Sequence, residues 1–178
     1  MTITIKEQPG ATPMVVAHHP MKAAHIAAVD EIYPVLFGTR RIIAIDKTPK
    51  TDHTAYLYEL RYRGDMGVCS TTVYEKFRSP EYAHYRSITL THIDASGAIA
   101  DQLHENTAQL TVQGFFDQAT NRFCGPLIVV SLADVIYRVQ TGRIAYKLRN
   151  RPRSVCTYIE ILIEDLAPFA MYVKEYPR

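Results

Sequence analysis

Two runs of β-forming residues separated by a glycine-bounded tetrapeptide most constrain how this chain folds. Residues 54–63 (TAYLYELRYR) and 68–77 (VCSTTVYEKF) are rich in Tyr, Val, Leu and Thr and flank Gly64-Asp65-Met66-Gly67. Glycine tolerates the positive φ of tight hairpin turns, so the pattern predicts two antiparallel strands joined there. Residues 110–116 and 123–130 form a second such pair around the polar segment 117–122 (DQATNR). A chain with two hairpins of this kind is committed to antiparallel sheet.

The other segments fit around that sheet. Residues 2–6, 14–16, 41–45, 87–93, 143–148 and 155–164 read as strands, and the tail to Arg178 has room for one more. The Ala-rich run 21–33 (MKAAHIAAVDEIY) repeats Ala24, Ala27, Ala28 and Ile32 at helical spacing, and is expected to end near Pro34. Ser79-Pro80-Glu81 has the serine and proline of a helix start, and residues 98–104 read as a short helix. Ser131-Leu132-Ala133-Asp134 is a capping-box pattern with Asp in place of Glu. Leu132, Val135, Ile136 and Val139 follow at helical spacing, with Gly142 as a stop. About eight to ten strands and three or four helices without βαβ rhythm predict an α+β fold with a largely antiparallel sheet, residues 1–178 forming a single domain.

Composition restricts function more by exclusion than by indication. With 47% hydrophobic and 21% charged residues in 178, the chain has material for a core. No apolar run approaches the roughly 18 residues of a membrane span. Cys69, Cys124 and Cys156 are odd in number and widely spaced, which suits reduced thiols inside strands and a cytoplasmic location. Neither phosphate-loop nor dinucleotide glycine pattern occurs, nor GxSxG. Gly64-Asp65-Met66-Gly67 matches GxxG, but it lies between strands and Asp65 would repel phosphate. His18, His19 and His25 lack metal-ligand spacing, so they read as solvated loop and helix-face residues. No catalytic residue, metal or cofactor is assigned.

Charge distribution carries the remaining signal. The formal net charge is only +2, yet between Asp134 and Glu160 there are six cations and no acid: Arg138, Arg143, Lys147, Arg149, Arg151 and Arg153. In extended backbone the five from Arg143 onward would line one face, over roughly 33 Å at about 3.3 Å per residue. Arginine-rich rows suit bidentate contacts to phosphate or carboxylate, and Tyr146 and Tyr158 lie close enough in sequence to supply stacking. Arg40 and Arg41, with Lys47, Lys50, Arg61 and Arg63, make a weaker second set. The competing physical reading is an edge strand guarded by outward charges, with Ile144, Tyr146 and Leu148 facing the core.

The expectation from these residues is a non-enzymatic protein that contacts nucleic acid or a nucleoprotein complex through region 138–153. Six duplex phosphate contacts would give a log K against log salt slope near −5, at about 0.9 per contact. The alternative is a protein-interaction module, an inhibitor or adaptor of the kind phages and plasmids direct at host machinery, acting on an acidic or nucleic-acid-binding surface. Self-association into a homo-oligomer is compatible with either. Separately, Gly125-Pro126 leading into Ser131-Leu132-Ala133-Asp134 and then a strand over 157–166 resembles the helix-then-strand segment of hotdog-fold acyl-thioesterases. That resemblance spans about forty residues without the glycine pair before the helix, and it implies Asp134 as base or nucleophile of an acyl-thioester hydrolase.

Overall fold

A computed structural model describes residues 20–38, 42–48, 56–93, 108–150 and 157–177. The expected strands at 2–6 and 14–16 and the helix at 98–104 lie outside the described residues, as do Arg40, Arg41, Arg151 and Arg153. The fold is α+β, and its sheets are mostly antiparallel.

The first hairpin forms where the glycines place it. Strands β2 (Tyr56–Gly64) and β3 (Gly67–Arg78) pair in register with Gly64 opposite Gly67, leaving Asp65-Met66 as a two-residue turn. Gly67 sits at φ 129°, a conformation open to glycine and strained for other residues. Strand β1 (Ile42–Thr48) pairs antiparallel with β2. The second hairpin joins β5 (Leu110–Asp117) to β6 (Arg122–Ser131). Its turn is held by Asp117, whose carboxylate accepts from the Ala119 N–H and the Thr120 hydroxyl. Pro126, which has no N–H for a ladder, lies in β6 where the pairing with β5 shifts around Gly114.

Sheet A runs β1-β2-β3-β5-β6-β9, with β9 being Tyr172–Tyr176; β3 and β5 are its parallel pair. Two excursions leave it and build sheet B, ordered β4-β8-β7, from Ser87–Ile93, Thr157–Leu162 and Lys147–Asn150. After β3 the chain makes a 3-10 turn, Pro80–Tyr85, and enters β4. After β6 it forms helix α3 (Leu132–Gln140), passes through β7 and β8, and returns by α4 (Ile163–Leu166) to β9.

Both faces of sheet A are covered, which explains why β5 and β6 are buried along nearly their whole length, Thr111 and Gln113 included. On one face lie α1 (Pro20–Glu31) and α2 (Tyr33–Phe37). Ala24, Ala28 and Ile32 pack there against Leu60, Val73, Val112 and Leu127. Small alanines one turn apart form the buried stripe of α1. On the other face, Ile88, Leu90, Ile159 and Ile161 of sheet B join Val135, Val139 and Leu166 against Tyr74, Ile128 and Val130. The first helix does stop near Pro34, at Glu31, and Pro34 itself sits in the opening turn of α2. Proline at that position lacks only a donor that the helix would leave unpaired.

Candidate binding surface

The cationic row is not one row. Its expected strand at 143–148 begins only at Lys147, so Arg138 belongs to α3 and Arg143 to the turn after it. The turn arises because Ser131 Oγ accepts the Asp134 N–H at the start of α3, while Gly142 at φ 67° ends it. The Arg143 N–H then bonds the Arg138 carbonyl, and Ile144 is buried in the core against which sheet B packs. Arg138 Nε donates to Asp134 Oδ2 at 2.9 Å, and its guanidinium lies 3.5 Å from the Phe169 ring centroid. Arg143 lies over Tyr137, 5.3 Å from its centroid. The acid that the thioesterase resemblance would make catalytic is thus engaged in an ion pair one helical turn away.

Lys147 and Arg149 do share a face. Antiparallel register sets Lys147 opposite Glu160 and Arg149 opposite Tyr158, and directly opposed residues point to the same side. That side is turned away from the core, since Ile159 and Ile161 point inward. Arg149 Nε donates to Glu160 Oε2 at 2.8 Å, and Ser87 Oγ donates to Glu160 Oε1 at 3.0 Å. Partial burial pushes the Glu160 carboxyl up, but the bonds from Arg149 and Ser87 outweigh it and hold the group below the usual glutamate value. The carboxylate engages only Nε of Arg149, one of the five N–H donors a guanidinium carries.

The guarded-edge alternative is also corrected in part. Tyr146 and Leu148, expected in the core, are 46% and 55% exposed. Tyr146 and Leu162, with Ala145, Lys147, Glu160 and Asp165, line a small depression beside β7. Sheet B ends at β7, and the core stops short of Leu148.

Three groups that the sequence did not single out complete this surface. The 3-10 turn carries Tyr82 and Tyr85, 46% and 49% exposed, with rings stacked at 6.5 Å and 23° and His84 against Tyr85 at 3.9 Å. The turn is seated by Ala83, which packs on Phe115 and Cys124. Gly125, at φ 63°, allows that approach: a Cβ there would meet the Ala83 methyl at 3.1 Å. Tyr158 stands opposite Arg149 across the β7–β8 ladder, and the turn leads directly into Ser87, whose hydroxyl donates to Glu160. Arg78 spans the gap between sheets, donating to the Ser87 carbonyl and lying 4.7 Å from the Phe115 centroid. Burial lowers its pKa, an effect that the Glu160 carboxylate opposes. Arg86, in left-handed conformation at φ 48°, ties the end of the turn to Glu164 and Glu175 at 2.7 and 3.0 Å.

Arg61 of the second basic set lies on β2 in sheet A and pairs with Glu59 at 3.3 Å, so it belongs to a different sheet from Lys147 and Arg149. Among the described residues no three His, Cys, Asp or Glu side chains gather as a metal site. His25 is not solvated as its helix position suggests: it is 5% exposed and bonded to Glu75. Cys124 is buried, which pushes its thiol pKa up, whereas Cys69 is only half-buried beside the hairpin turn. No described helix is long and apolar enough to cross a membrane. Comparison with protein-family models, with curated proteins and with solved structures finds no match for this chain.

Proposed function

We propose that the protein binds nucleic acid through the outer face of sheet B, contacting backbone phosphates rather than reading sequence. The supporting observation is the pairing of Lys147 and Arg149 on a solvent-facing strand, with Arg149 anchored by Glu160 while retaining donors for a second acceptor. A guanidinium held by a carboxylate on one edge loses less side-chain freedom when it takes up phosphate on another. Arg138 is engaged by Asp134 and Phe169, and it belongs to the framework of α3 rather than to the contact set.

Magnitude separates this reading from the six-cation one. Two duplex contacts give a salt slope near −1.8, against about −5 for six. Titration of a labelled duplex at several salt concentrations measures the slope directly. Arg149→Ala is expected to flatten it by about 0.9 and Arg138→Ala to leave it unchanged. Salt-independent binding, or none to duplex and single strand alike, overturns the proposal.

The exposed Tyr146, Leu148 and Leu162 favour a second reading, an acidic protein partner seated on the same edge. Tyrosine and arginine are common anchors of such interfaces. A partner recovered from nuclease-treated lysate by the wild type, and lost with Leu148→Glu, would support it.

A further inference from the structure

From the geometry beside β7 we infer that the nucleic acid is single-stranded, and that its bases stack on the aromatic ledge formed by Tyr82 and Tyr85. The inference rests on the polyanion reading above and adds the ligand's form. Three features carry it.

The first is composition: two exposed tyrosine rings, nearly parallel, with a histidine ring packed on one of them, project from a single 3-10 turn. Their planar faces offer apolar area that unpaired bases can cover, and the bases of a duplex are already stacked on one another. The second is placement. The turn leads directly into Ser87, whose hydroxyl is bonded to the same Glu160 carboxylate that holds Arg149, and Tyr158 stands opposite Arg149 across the β7–β8 ladder. A strand whose phosphates meet Lys147 and Arg149 therefore has aromatic surface next to its bases. The third is rigidity. Ala83 on Gly125 seats the middle of the turn and the Arg86 ion pairs to Glu164 and Glu175 hold its C-terminal end, so the ledge is preorganised. The Glu160 carboxylate between the two features is already bonded to Arg149 and Ser87, which lowers the repulsion it would exert on a phosphate.

The test is fluorescence anisotropy with labelled oligothymidylate of about 16 nucleotides and with a duplex of the same length. Wild type should bind the single strand more tightly. Tyr82→Ala and Tyr85→Ala should each weaken single-strand binding roughly fivefold to 150-fold, the range expected for one lost stack. Their salt slope should be unchanged, because no phosphate contact is removed, while Arg149→Ala should flatten it by about 0.7. Tyr85→Phe keeps the ring and should bind like wild type, which separates stacking from loss of the hydroxyl. Matching thermal transitions for wild type and variants establish that the fold persists. Equal affinity for both probes, or tyrosine variants that bind as wild type, overturns the stacking inference and leaves the polyanion reading standing. Failure to bind either probe overturns both.

Discussion

Glu75 sets a carboxylate inside the protein interior. It points from β3 into the apolar core under α1 and α2, with its side chain fully buried. His25 Nδ1 lies 2.8 Å from one carboxylate oxygen, and the Tyr33 hydroxyl donates to the other. A buried carboxylate without partners would be prohibitive, so these contacts offset a cost rather than add a surplus. Glu75→Ala should destabilise the protein by about 3–5 kcal/mol, since it removes the carboxylate that His25 and Tyr33 meet in the core and opens a cavity. Glu75→Gln, which keeps the side-chain volume and one acceptor oxygen, should cost less than Glu75→Ala. Urea denaturation of the two proteins measures both effects. A cost below about 1 kcal/mol for Glu75→Ala would show that the cluster is incidental. Nothing in the sequence marks Glu75, since it sits in an ordinary strand and its partners lie 50 and 42 positions away.

At the scale of elements, α3 shows how local signals and long-range packing divide the work. Ser131 caps it, Asp134 and Arg138 form an (i, i+4) pair with each charge at its favourable end, and Gly142 follows in left-handed backbone. Each of these is written in adjacent residues, and the expected boundaries agree with the observed helix. Ser131→Ala should cost about 1 kcal/mol, read as a shift of the thermal or urea midpoint. The cation-bearing segment behaves differently. Alternation correctly places Lys147 and Arg149 on one side, but burying Ile144 against the second core pulls residues 143–146 out of the strand. Periodicity alone carries no sign of that cost.

Across the whole molecule, polar contacts join elements far apart in the chain: Arg86 pairs with Glu164 and Glu175, and Glu160, paired with nearby Arg149, accepts a hydrogen bond from Ser87. Hydrogen bonding holds Glu164 below the usual carboxylate range, and Glu160 lies below it despite partial burial. The unfolded chain therefore binds these protons more readily than the native one. The stability they contribute is present above the unfolded glutamate pKa, about 4.3, and is lost as pH falls through the lower native values. Melting temperature should accordingly begin to fall below about pH 4.3, and Glu160→Gln should make that acid limb shallower. A melting temperature independent of acid would remove these pairs from the account of how sheet B is held.

The two hairpins, the capped helix and the α+β class were determined by the sequence itself, because turn glycines, period-two alternation and helix caps act between near neighbours. Tertiary structure alone decided which strands left sheet A to build sheet B. It also decided which cations were consumed by Asp134, Glu59 and aromatic rings, and that the turn of Tyr82 and Tyr85 would lead into Ser87, bonded to the carboxylate that holds Arg149. Those outcomes depend on contacts between residues dozens of positions apart, and they follow from burying both faces of one sheet.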